Sequence, residues 1–462
     1  MSILGTFVVP HPPIILPEVG HGEEVKIKAT TEAYRETMRQ AAALKPDTVI
    51  ITSPHSIMYA DYFHISPGAK ASGNFAAFRA PQLEIEVTYD QGFVSALAGE
   101  CEKRGISAGT LGEKNPFLDH GTLIPLRFLG EFTSEFNLVR IGLSGLSPLE
   151  HYRFGQCIAQ TAQVLNRRVV FIASGDLSHK LKADGPYGFA KEGPIFDAEC
   201  MDALAAGDFL RLLSIDSALA EGAAECGLRS FWIMAGALDG QKVEAKRLSY
   251  EGTFGVGYGV VMFALSGERD ATRNFGEQFA ARAEKRLAEI KAAEDEYVRL
   301  ARLSVETFVK TKTPAAMPQN LPQEMLDKQA GAFVSLKKDG RLRGCIGTFL
   351  PTTANIANEI LRNGIAACSQ DPRFSPVMPA ELNSLVYSVD ILDKPEKIAS
   401  PSELDPKIYG VIVSNGQRRG LLLPDVAGVD TVEEQISIAR QKGGIGQNEP
   451  IHLQRFRVVR HK

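Results

Sequence analysis

The chain reads as an α/β N-terminal domain with a mostly parallel sheet flanked by helices, followed by an α+β C-terminal domain. Three observations predict this. Short apolar runs alternate with helical stretches through the first 265 residues, the pattern of parallel βαβ units. Several of these runs end in a histidine, aspartate or glutamate, which is where the loops of an open α/β sheet gather ligands. From residue 332 onward the chain turns to strands and turns with a few helices. At 462 residues it also exceeds one ordinary core, so two domains or more are expected.

The elements follow in order. Residues 4–9 read as a strand and 24–44 as a helix, with Ile27, Tyr34, Met38 and Ala41 on one face; 48–52 is a buried strand. A strand at 83–87, a helix at 92–104, a strand at 137–141, a helix at 151–165 and a strand at 168–173 continue the alternation. Stretches 194–206, 209–217 and 227–238 look helical. Residues 246–265 carry glycines at 252, 255, 257 and 259, which suggests a strand with close backbone approaches. The expected division is a first domain at 1–265, a polar linker at 266–276, and a second domain at 277–462 that opens with a charged, Ala-rich helix.

Composition excludes several classes. Hydrophobic residues at 44% and charged residues at 23% are globular values, which rules out a disordered chain. A net charge of −4 gives no electrostatic reason to expect nucleic acid or an anionic membrane surface. No run approaches the roughly 18 apolar residues of a spanning helix. The apolar start lacks a basic leader and is broken by Pro10, Pro12 and Pro13, so no signal peptide is read and a cytoplasmic protein is expected. Six cysteines are scattered without a C-x-x-C pair, against both a disulfide framework and a structural zinc knot.

Two histidines share one arrangement. His11 closes the first strand and is followed by Pro12 and Pro13, which fix an extended exit. His55 follows Ser53 and Pro54 at the end of the next strand. Either alone reads as a structural, hydrogen-bonded histidine; together, at equivalent strand ends, they read as ligands. Glu251 lies in an apolar, glycine-rich stretch, where a carboxylate is costly to bury unless it meets a cation or a proton. Two histidines and a glutamate make the set that holds non-haem ferrous iron with open positions; the same donors also suit catalytic zinc. His120 and His179 read as neighbouring groups able to take a proton from a bound hydroxyl, or as structural histidines. Asp176 either orients His179 or closes its loop.

These motifs carry a resemblance. His11-Pro-Pro, Ser-Pro-His55, Asp-His120-Gly, Gly-Asp176-Leu-Ser-His179 and the glycine-rich stretch from Glu251 resemble the class III extradiol ring-cleavage dioxygenases of the LigB type and their Memo-like relatives. The resemblance spans roughly residues 1–265. It implies Fe(II) on His11, His55 and Glu251, with His179 and His120 as acid/base and substrate-contacting groups, and a catechol-like diol and dioxygen as substrates. Memo-like proteins depart from this by replacing a ligand, which implies a non-catalytic metal-binding or scaffold protein as the second reading. Zinc or copper is the alternative metal, and a metal-dependent hydrolase the third reading.

Residues from about 280 to the end resemble the AMMECR-type domain, through Leu342-Arg-Gly-Cys-Ile-Gly-Thr348 and Asp371-Pro-Arg-Phe374. Arg343 and Cys345, in a Gly-flanked strand or turn, suggest a pocket where backbone approaches a ligand. Arg343 and Arg373 are candidates for binding an anion, and solvated arginines the plainer reading. A nucleophilic Cys345 needs a nearby base; otherwise it is a small buried hydrophobe. The fusion of the two modules implies a radical-SAM protein as partner. Assembly as a homo-oligomer is left open.

Overall fold

A computed structural model describes residues 2–338, 340–426 and 428–462. The chain forms two compact units, Met1–Arg282 and Ala283–Lys462.

In the first unit the central strands are β1 (Ile3–Val9), β2 (Thr48–Ser53), β3 (Asn137–Gly142) and β4 (Val169–Ser174), all parallel. Between them run the helices α1 (Lys28–Ala43), α2 (Gln91–Lys103), α3 (His120–Leu129) and α4 (Pro148–Val164). After β4 come α5 (Glu192–Ala206) and α6 (Leu228–Ala237), then the antiparallel β5 (Gln241–Glu251) and β6 (Tyr258–Arg269). The sheet order is β3-β2-β4-β1-β6-β5. Every residue of β2 and β4 is buried, as a strand covered on both faces requires. The alternation along β1 shows it directly. Val8 enters one core with α2, α4, α5 and α6; Phe7 and Val9 on either side of it enter the other, with α1 and α3.

The stretch 246–265, expected as one strand, is the meeting of two. β5 and β6 form a hairpin whose turn holds Gly252, Gly255 and Gly257. At Gly257 no side chain fits, because a Cβ would stand 2.0 Å from the Asp197 carboxylate. The segment 266–276, expected as a linker, is ordered instead. β6 runs on to Arg269, which pairs with Gln241, and α7 (Phe275–Ala293) begins inside it.

The second unit holds α8 (Glu296–Thr311), started by Asp295 accepting from the N–H groups of Tyr297 and Val298. The helix read from 277 is therefore two. Then follow β7 (Gly331–Lys338), β8 (Arg341–Gly347), α9 (Ile356–Ser369), β9 (Leu385–Leu392), β10 (Glu396–Ile398), β11 (Gly410–Asn415), β12 (Arg418–Leu422), α10 (Val432–Lys442), β13 (His452–Phe456) and β14 (Val458–His461). They build two four-stranded sheets, β8-β7-β9-β14 and β10-β13-β11-β12, antiparallel throughout. Helices α8 and α9 pack on the first. No helix among the described residues is long and apolar enough to cross a membrane.

Candidate metal centre

β1 ends at Val9, and Pro10 carries the chain out so that His11 stands at the sheet edge, buried. Its backbone N–H donates to Asp176 Oδ1 (2.8 Å), which follows β4. Its ring is fixed by a chain of hydrogen bonds. Ser174 Oγ donates to the Gly121 carbonyl (2.6 Å) and so accepts from His11 Nδ1–H (2.9 Å). The proton therefore sits on Nδ1, and Nε2 carries the lone pair.

That lone pair faces two other donors. His55 Nε2 lies 3.0 Å from His11 Nε2, and Cys226 Sγ lies 3.7 Å from it. Burial first, then the neighbouring His55, holds the His11 imidazole well below its usual value; burial of its packed side lowers His55 too. Both rings are thus neutral at pH 7, the state in which imidazole ligates. Tetrahedral coordination with metal–nitrogen bonds of about 2.0–2.1 Å and a metal–sulfur bond of about 2.3 Å gives N···N edges of about 3.4 Å and N···S edges of about 3.6 Å. The observed sulfur distance lies close to its edge, and the two nitrogens, at hydrogen-bond distance, need to part by about 0.4 Å to admit a metal. His11 is buried, Cys226 half-buried and His55 exposed, so the group opens to solvent on the His55 side.

Cys226 sits in the loop before α6. Glu225 accepts from the Leu228 N–H (2.7 Å) and so closes that loop over the helix start. The Asp176 N–H donates to Cys226 Sγ (3.3 Å). Burial, with Asp176 and Glu225 nearby, pushes the thiol well up. Asp176, His179 and Cys226 form a second group of donors sharing that sulfur. His179 Nδ1 donates to the Ala224 carbonyl, which leaves its Nε2 as an acceptor. Tyr187, 61% exposed, packs its ring edge-on to His179 at 5.1 Å. The loop carrying His179 is pinned by Asp197, which accepts from the Ser178 N–H and the Tyr250 hydroxyl, each at 2.7 Å.

His120 opens α3 behind its N-cap Asp119, which also accepts from Ser53 Oγ at 2.5 Å and so ties α3 to the end of β2. The His120 ring lies 3.9 Å from His55 and 5.4 Å from His11, with Phe78 at 5.2 Å on another side. Burial and the two histidines push it down to about 3, so it is neutral.

The structure thus brings His11, His55, His120, Asp176 and His179 together. It does not bring Glu251 to the histidines. The Glu251 carboxylate accepts from the Thr30 N–H (2.7 Å) and Thr30 Oγ1 (2.6 Å), at the first turn of α1, whose own N-cap residue Ile27 offers no side-chain cap. A helix N-terminus compensates a carboxylate as a cation would. The third donor beside His11 and His55 is Cys226, which sequence reasoning passed over because no spacing marks it. The 2-His-1-carboxylate set through Glu251 is therefore absent; the donors present are two imidazoles and a thiol, which suit a borderline first-row metal.

In the second unit, Arg343 clamps Glu381 with two bonds (2.9 and 3.0 Å) and donates to the Ser375 carbonyl. Arg373 donates to Asp371 (2.9 and 2.6 Å) and to the Cys345 carbonyl. The Cys345 N–H donates to Asp371 Oδ2 (2.9 Å), and its thiol accepts from Ser335 Oγ (3.1 Å). Arg373 and Cys345 meet through Asp371. Arg343 is occupied by Glu381, with its Nη1 on the Ser375 carbonyl, whereas Arg373, half exposed, keeps its Nη1 edge toward solvent.

What the strand ends of the first unit assemble is a candidate transition-metal centre on an α/β scaffold. The chain belongs to the family of the catalytic LigB subunit of aromatic ring-opening dioxygenases, whose family model matches residues 5–261. The AMMECR1 family model matches residues 298–461. Protein CA_C1420 of Clostridium acetobutylicum is 43% identical over the full length of both chains. A Thermotoga maritima protein is 53% identical over 171 residues, covering 37% of this chain and 98% of its own. The crystal structure of PH0010 from Pyrococcus horikoshii is 31% identical with a TM-score of 0.34, covering 36% of this chain and 88% of that one.

Proposed function

We propose that the first unit holds a transition metal on His11, His55 and Cys226 and performs oxidoreductase chemistry of the ring-opening dioxygenase type on a catechol-like diol with dioxygen. The observation that carries this is the Nε2 lone pair of His11, fixed by Ser174 and facing His55 Nε2 at 3.0 Å and Cys226 Sγ at 3.7 Å. A bound metal supplies Lewis acidity toward a diol oxygen and, where it is redox-active, a partner for dioxygen. His179 Nε2 accepts the hydroxyl proton, since its Nδ1 is committed to Ala224. His120, neutral, offers a ring nitrogen to the substrate. Asp176 holds the His11 backbone in place.

The thiol favours a second reading, a metal-binding scaffold that turns nothing over. A thiolate in place of the triad carboxylate moves the preference from Fe(II) toward zinc or copper(I). Anaerobic loading with each of the three metals, followed by a catechol panel, separates them. Oxygen uptake and a yellow ring-opened product with Fe(II) support the dioxygenase; tight metal binding with no diol consumed supports the scaffold. The union with an AMMECR1-type domain supports a radical-SAM protein as partner, which co-purification with such a protein checks.

A further inference from the structure

Three neighbouring strand ends line up at the sheet edge. The β1–β4 register pairs Val9 with Ser174 and so sets His11 beside Asp176. The antiparallel β1–β6 register pairs Val8 with Val261; continued from Val8 to His11, it reaches Tyr258, the first residue of β6. Tyr258 is 3% exposed, and its hydroxyl makes no hydrogen bond within the described residues. From α1, the hydroxyl of the fully buried Tyr34 is likewise unpartnered. Burial first, then the nearby Asp176, raises both phenols and keeps them protonated.

A hydroxyl without a protein partner, on a phenol packed among apolar groups, marks a place where water or a ligand completes the hydrogen bonding. Here that place has an approach. Tyr258 lines a groove of about 440 Å³ with Ile14, Phe254, Val256, Pro186 and Lys182. Its walls combine the apolar Ile14, Phe254, Val256 and Pro186 with Lys182, Asp184 and Thr253 toward the rim, and Ile14 follows closely on His11. A flat apolar body in this groove puts one polar edge against Tyr258 and the neighbouring strand end that carries His11.

We propose that Tyr258 is a substrate-contacting residue, its hydroxyl donating to an oxygen of the ligand whose body lies in the groove. This rests on the diol reading above, and it adds a donor that comes from neither histidine motif. The test is a titration of zinc-loaded protein with 4-nitrocatechol, zinc being redox-inert, in the wild type and in Tyr258→Phe. A charge-assisted hydrogen bond predicts an affinity about 10- to 100-fold weaker in the variant, with zinc affinity and thermal unfolding midpoint unchanged. Equal nitrocatechol affinity in the two proteins overturns the assignment of Tyr258 and leaves the metal centre standing. No nitrocatechol binding by the zinc-loaded wild type overturns the diol reading itself, and this assignment with it.

Discussion

Cys226 and Cys345 are both half-buried thiols with an aspartate close by, yet their surroundings differ in one physical respect. Beside Cys345 two arginines are engaged, Arg373 on Asp371 and Arg343 on Glu381, and the Lys442 ammonium stands near the thiol. Around Cys226 the nearest groups are imidazoles instead. Two imidazoles turn ring nitrogens toward one another at 3.0 Å with the thiol beside them, and no cation of the chain satisfies them among the described residues. Residue type is the same in the two places. A cluster of neutral ligating atoms is what separates a place suited to a metal from a thiol set among ion pairs.

The largest effect expected is on metal affinity. Cys226→Ala and His11→Ala should each weaken zinc binding by more than about 100-fold, since even outer partners of a metal ligand are worth about 10- to 100-fold. Cys345→Ala should leave it unchanged. Competition with a chromophoric chelator reads this, and equal affinities for all four proteins would erase the comparison.

Next comes pH. The Cys226 thiol is pushed up and is therefore protonated at neutral pH, whereas His11 and His55 are pushed down and already neutral. Metal binding must release the thiol proton alone, so affinity should rise with pH by up to about tenfold per unit. Calorimetry in buffers of different ionisation enthalpy should count about one proton released; two or three would mean that the imidazoles are charged in the free protein.

The ion pair beside Cys345 has its own signature. The Arg373 hydrogen bonds hold the Asp371 carboxyl well below the usual carboxylate range. A lowered folded-state value means stability that is present above the unfolded pKa of about 3.9 and lost as pH falls below it. Chemical unfolding of the wild type should weaken over that acidic window. Asp371→Asn should flatten the dependence there and cost about 1–2 kcal/mol at neutral pH, and an unchanged acid profile would show that the pair contributes nothing. The smallest effect is at Glu251. Glu251→Gln should cost about 1 kcal/mol through the start of α1 with metal affinity intact; lost metal would return Glu251 to the centre.

The place where the candidate site's residues gather was legible in the sequence because strand ends are legible. His11, His55, Asp176 and His179 each follow an apolar run, and a parallel sheet delivers such residues to one edge. Cys226 was not, since it precedes a helix in a loop closed by Glu225 and meets His11 across 215 residues. Glu251 was misread because the rule that a buried carboxylate needs a positive partner is indifferent to whether that partner is a metal or a helix N-terminus. The glycines at 252–257 mark a turn between two strands rather than approaches within one, a distinction the hairpin partner makes and periodicity does not.

X-ray absorption on the metal-loaded chain tests the central assignment most directly. One sulfur at about 2.3 Å with nitrogen scatterers at about 2.0 Å is the predicted shell, with the sulfur lost in Cys226→Ser. A shell of nitrogen and oxygen alone in the wild type would contradict it.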